Sequence, residues 1–293
     1  MEVKKVANNT TLIVGVVVAL FISGLVGYYS VSPKEVVREV TVLGTEVSVQ
    51  ASGEGIWMLP GKRELDTEIF GTPGNPLKTN LLPVGMREVS EDGSSFTTTA
   101  GMGPFSDNVK EITGTISLSV KDLTTLDDTN SKDEAQLEAT FTDPTGQDTY
   151  RVVLKKLIPV GPDHQFFGGV GTDVLIHGSS EVGTPLMPTM WNYVALWGFG
   201  DLHKNGELID SMRIIHVMVT PRHRDDDFKL GFGVAKPSEL EIHLILPPNK
   251  ASPSGPVDSP VPTGFVLPNG MEQPFIHVNY YGNIDIEGDR YLG

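Results

Sequence analysis

Between Ile112 and Val120 every second position is apolar or glycine: Ile112, Gly114, Ile116, Leu118 and Val120. A period of two belongs to a strand with one buried face, whereas a helix repeats its faces every 3.6 residues. Ala135–Thr142 and Tyr150–Ile158 read the same way, with the turn signal Asp143-Pro144-Thr145-Gly146 between them. Asn192–Leu202 and Met212–Thr220 flank Asn205-Gly206, the dipeptide that two-residue hairpins favour because both positions need positive φ. Leu230–Val234 and Leu240–Leu246 extend the series. Phe265–Leu267, the turn Pro268-Asn269-Gly270 and Phe275–Tyr281 form a last hairpin expected to join the main sheets. Beyond the amino-terminal segment no helix of ten or more residues is predicted, which disfavours parallel strands linked by crossover helices. The fold class expected is all-β, an antiparallel β-sandwich.

Residues 12–31 carry no charge. At about 1.5 Å per residue they span about 30 Å, the hydrocarbon thickness of a bilayer. Lys4 and Lys5 precede this segment and Tyr28 and Tyr29 end it, which predicts a single-pass signal anchor with its amino terminus in the cytoplasm. The domain organisation expected is a cytoplasmic terminus at 1–11, the transmembrane anchor at 12–31 and a juxtamembrane stalk at 32–50, helical over 33–43. An irregular Gly/Pro-rich region with short strands occupies 51–108. The β-sandwich occupies 109–293, with a Pro-rich loop at 247–262 that holds six prolines.

The chain has 37 acidic and 22 basic side chains and no cysteine. The acidic balance argues against nucleic acid as a partner, which would need a basic footprint. Without cysteine there is no disulfide framework, thiolate zinc site, iron–sulfur cluster or cysteine nucleophile. No G-x-S-x-G elbow, H-E-x-x-H helix or P-loop is present. The triple aspartate 225–227 after Arg222-His223-Arg224 fits no calcium loop and reads as a charged loop or docking patch.

Four side chains stand out as metal ligands: His177, Met187, His216 and Met218. On a strand, His216 and Met218 share a face. Imidazole and thioether together suit copper, above all Cu(I). Their order, H-x9-M-x28-H-x-M, resembles that of bacterial periplasmic copper(I) chaperones of β-sandwich fold, whose pattern is H-x10-M-x21-H-x-M. The resemblance covers about 40 residues and implies a Cu(I) site; packing in a core strand is the competing reading. His243 alternates with Glu239 and Glu241, the pattern of a solvated face. Trp191, Tyr193, Trp197 and Phe199 make an aromatic stripe that fits a core, a partner interface or a sugar platform.

The function these features point to is a membrane-anchored extracytoplasmic β-sandwich protein. It is expected to serve as an interaction module or accessory subunit of a cell-envelope assembly, with the lipid bilayer and a protein partner or second copy as its contacts. One alternative is a copper-binding chaperone or store. Another is a carbohydrate-binding module or an enzyme without a local motif.

Overall fold

The computed structural model describes residues 45–100, 105–123, 132–158, 168–180, 182–184 and 186–288. The expected membrane anchor at 12–31 and the helical stalk at 33–43 lie outside these residues. Among the described residues no helix is long and apolar enough to cross a membrane. All of the described residues belong to one compact unit.

The strands, in chain order, are β1 (Thr45–Met58), β2 (Gly61–Leu65), β3 (Gly71–Thr72), β4 (Asn75–Pro76), β5 (Glu88–Val89), β6 (Phe96–Ala100), β7 (Val109–Asp122), β8 (Glu134–Thr142) and β9 (Thr149–Leu157). They continue with β10 (Val170–Ile176), β11 (Met190–Lys204), β12 (Glu207–Arg222), β13 (Lys236–Leu246), β14 (Asn249–Ser252), β15 (Gly255–Asp258), β16 (Ile276–Tyr280) and β17 (Asn283–Gly288). The hairpins predicted at β8–β9 and β11–β12 form, and Asn205 and Gly206 both take positive φ in the β11–β12 turn, whereas the last predicted hairpin does not: Phe265–Leu267 makes only the single bridge Val266–Glu272, and β16 pairs with β13 and β1.

Ten strands make one sheet in the order β10-β11-β12-β13-β16-β1-β7-β8-β9, with β17 beside β1, and every pairing between neighbours is antiparallel. β9 also pairs with β11, Tyr150–Leu157 against Gly198–Lys204. Eight strands therefore close into a ring, and the two layers of the expected sandwich become opposite walls of a sandwich-like barrel.

The barrel interior is filled with apolar side chains, among them Val47, Val49, Leu118, Val120, Val217, Val219, Leu244 and Val278. Trp57 packs edge-on against Phe141 and Tyr150 inside it. Two long strands each change partner midway. β1 leaves β17 for β16 around Gly53 and Gly55, and β11 leaves β10 for β9 around Gly198 and Gly200. A side chain on Gly200 would place its Cβ 2.0 Å from Ile215 Cδ1 and 2.7 Å from the Val153 carbonyl oxygen. Only glycine lets the three strands approach this closely at the corner.

One half of the barrel wall is covered by a second layer, so β13 over 241–246, β12 over 215–220 and all of β16 are buried on both faces. Among the described residues the cover comes from 59–100, 105–106, 177–180, 186–189 and the loop 223–235. Leu65, Phe70, Leu82 and Phe96 form its own small core. Buried arginines tie it down: Arg63 donates to the carbonyls of Leu230 and Gly231, both at 3.1 Å, and to that of Leu186. Arg224 donates to those of Phe228 at 2.6 Å and Ser106 at 3.0 Å.

Three expectations change. The stalk boundary at residue 50 falls inside β1, which pairs with β7 along its whole length, so 51–58 belong to the barrel. Leu230–Val234 is not a strand; Leu230 makes a single bridge to Arg224 and serves in the cover. The Pro-rich stretch 247–262 holds the hairpin β14–β15.

Gly200→Ala is expected to lower stability by about 1–3 kcal/mol through overpacking at the corner. Gly233→Ala, whose new Cβ would meet nothing within 4 Å, should change it far less. Urea unfolding of both variants checks this, and equal midpoints would remove the role given to the corner.

Candidate functional site

The outer faces of β11, β12, β13 and β16 meet the cover along a seam that is polar as well as apolar. Cross-strand pairing places its members side by side: Trp197 opposite His216, Ala195 opposite Met218, Met218 opposite His243, and His243 opposite Asn279. Because strand side chains alternate, these residues point away from the barrel interior while Val217, Val219, Ile242 and Leu244 fill it.

All four predicted ligands come to this seam. His216 and Met218 sit on β12, as the spacing requires. Met187 and Met218 share a dry cluster with Met190, Leu230 and Ile245, against which Phe105 packs. His177 lies just after β10 and reaches His216, the ring centroids lying 6.2 Å apart and nearly perpendicular. His216 stacks on Trp197 at 4.6 Å. An imidazole nitrogen binds a first-row ion at about 2.0–2.1 Å and sits about 1.1 Å from its ring centre, so two rings on one ion have centroids at most about 6.3 Å apart. The observed separation falls just inside that limit.

The two imidazoles are prepared differently. His216 Nδ1 lies 3.0 Å from the Leu196 carbonyl oxygen, which holds its proton there and leaves Nε2 as a lone pair. Nε2 is buried without a partner. His177 Nδ1 accepts the Thr184 N–H at 3.2 Å, so its own proton sits on Nε2. To bind a metal through Nε2, His177 must shift that proton to Nδ1 and release the Thr184 hydrogen bond. Its backbone is left-handed, φ 64°, a conformation that a non-glycine residue adopts at a cost. Gly183 packs against the ring, where a Cβ would lie 2.5 Å from Nδ1.

Burial pulls the pKa of His177 down to about 3, helped by the charges of His216 and His243. Burial likewise lowers His216 to about 4, against the opposing Leu196 hydrogen bond.

Sequence reasoning missed the other end of the seam. Glu241 and His243 do not form a solvated face; both are fully enclosed, and only Glu239 reaches solvent. His243 Nε2 lies 2.9 Å from Glu241 Oε1 without its N–H being aimed along the contact. His243 Nδ1 lies 3.1 Å from His277 Nε2. The His223 backbone N–H donates to Glu241 Oε1 at 3.0 Å, and Asn279 Nδ2 donates to Tyr281 Oη at 3.2 Å. Burial pushes the Glu241 carboxyl up, but its interactions with His243 and His223 outweigh that and hold it well below the usual carboxylate range. Burial, reinforced by the Glu241 charge, keeps the Tyr281 hydroxyl protonated. The signal available in the sequence was Ile245 and Met218 on the same faces as the polar residues, an apolar pattern on both sides of β12 and β13.

The aromatic stripe does not act as one surface. Trp197 is buried against Ile158, Ile176 and Ala195, whereas Trp191 is 41% exposed. Among the described residues no three His, Cys, Asp or Glu side chains are placed to hold one metal ion.

Comparison with known protein families, curated proteins and solved structures finds no match. The likeness to copper chaperones thus stays confined to the His/Met order.

The two depressed histidines predict acid lability. Above about pH 6.5 they are neutral folded and unfolded alike, and their burial costs nothing in protonation. As pH falls below 6.5 the unfolded chain takes up protons that the fold refuses, so stability falls until about pH 3–4. A buried histidine shifted this far removes about 3 kcal/mol at pH 4. Unfolding free energies from pH 7 to 4 should show this slope, and His216→Gln should flatten it; an unchanged slope would contradict the assignment.

Proposed function

We propose that this chain is a membrane-anchored extracytoplasmic barrel protein that binds Cu(I) between His177, His216 and the thioether of Met218, with Met187 beside them. The observation carrying the reading is the His216 Nε2 lone pair, buried without a partner, fixed in tautomer by Leu196 and one ring away from His177. A buried lone pair left idle is costly, and a soft cation supplies the missing partner. The chain's own residues orient the imidazoles, supply the sulfur and exclude water. Anchoring rests on the uncharged run at residues 12–31 and on the acidic balance of the chain beyond it.

The test is Cu(I) titration of the full chain in detergent against a competing chelator, read by Trp197 fluorescence as well as metal content. One tightly held Cu(I) is expected, with quenching from the ring stacked on His216. His216→Ala should abolish both, and Met218→Leu should weaken binding by tenfold or more, on the order of one lost ligand. Binding left intact in His216→Ala would overturn the site.

A second reading, an interaction module working through a second copy, is favoured by one surface feature. Leu175 and Trp191 are cross-strand neighbours, 50% and 41% exposed, on the outward side of β10 and β11. Light scattering of the full chain should then give an oligomer that Trp191→Ser with Leu175→Ser converts to monomer. A wild-type monomer would end this reading.

A further inference from the structure

The polar seam can also be approached from the cover. A cleft of about 420 Å³ opens between Glu64–Thr67, Asp107 and the loop 225–235. His223 is part of its lining. Its ring is 1% exposed, and neither nitrogen has a hydrogen-bond partner. Nδ1 lies 3.6 Å from Glu241 Oε1, so the carboxylate sits behind the ring as an orienting group. With Nδ1 turned to Glu241, Nε2 is the nitrogen left without a partner, and a buried acceptor that makes no bond costs about 1–3 kcal/mol.

Around this ring the cleft carries Glu64, Asp66, Asp107 and Asp225, and one lysine, Lys229, which is paired with Glu64 at 3.2 Å. Asp66 and Asp225 each use Oδ1 to accept backbone N–H groups of their own loops. Their Oδ2 atoms make no such bond. Arg224 lies 3.8 Å from Asp107, so with Glu64 paired to Lys229 the surplus negative charge rests on Asp66 and Asp225, and the carboxylates are not placed to converge on one metal ion. Spread acceptors around a buried base suit a larger cation with several N–H donors.

We propose that this cleft binds an alkylammonium or guanidinium group, the carboxylates supplying the opposing charge and His223 accepting one ligand N–H at the floor. The site shares no proposed ligand with the metal site, although Leu230 lines the cleft and also packs with Met187 and Met218. The same chemistry is offered by a free polyamine and by a basic side chain of a peptide.

Calorimetry on the full chain in detergent, at moderate salt, tests it with two probes, spermidine and N-acetyl-arginine amide. Saturable binding of at least one probe at a single site is expected. His223→Gln and Asp225→Asn should each weaken it about tenfold or more, while Glu111→Gln, outside the cleft, leaves it unchanged. Spermidine alone binding assigns a free polyamine; the arginine amide alone binding assigns a basic side chain; either supports the cleft. Absence of saturable binding for both overturns the proposal, as does equal weakening by Glu111→Gln, which would reveal diffuse attraction. Should His223→Gln lose its fold by circular dichroism, Asp66→Asn, which keeps its Oδ1 acceptor, decides the matter: unchanged affinity there overturns the proposal.

Discussion

The backbone hydrogen bonds between β9 and β11 close the sheet. An open sheet of this size would present two edges to solvent and leave its inner face to find another layer. Closure removes those edges for eight strands and lets each inward side chain meet others across the interior. Glycines at the corners make the closure sterically feasible, since β1 and β11 must each serve two partners. Two edge strands remain, β10 and β17, and β10 is blunted by its surroundings: Asp122 accepts from the Thr172 N–H, and Asp133 accepts from that of Val170.

Closure also creates the seam. Once the barrel interior is filled, the outer face of β11–β12–β13–β16 needs its own cover, and that cover is mostly irregular chain. Irregular chain exposes backbone carbonyls that sheets would otherwise satisfy. Buried arginines answer this need, each supplying several donors from one rigid fork. Burial drives the Arg63 pKa down to about 10, which still leaves it charged at neutral pH. The histidines play the opposite part. His177 and His216 are buried neutral, and unpartnered nitrogens at His216, His223 and His243 mark where the seam is chemically incomplete.

Much of the barrel was legible in the sequence because its strands have one apolar face. The alternation in β7 and the turn chemistry at Asp143–Gly146 and Asn205-Gly206 read directly as elements. The candidate site was legible in part. His216 and Met218 lie two residues apart, and a strand puts them together by geometry alone. His177 joins them only through the β10–β11 pairing, a contact between residues 39 positions apart that no local pattern encodes. Glu241 and His243 were misread because alternation distinguishes two faces without saying whether the polar one meets water or a second layer. The cover itself carries little periodicity, so nothing at 59–100 announced that it would lie over the barrel wall.

The sequence by itself determined the antiparallel all-β class, most strand positions, the hairpin turns and the clustering of soft ligand types on one strand. These depend on local rules: a period of two, positive φ at Asn-Gly, and side-chain chemistry. Tertiary structure decided the ring closure, the doubly buried strands and the meeting of His177 with His216, and of His223 with Glu241. Such contacts are set by which edges pair and which segment covers which face, and those choices arise from packing over long sequence separations rather than from any one stretch of chain.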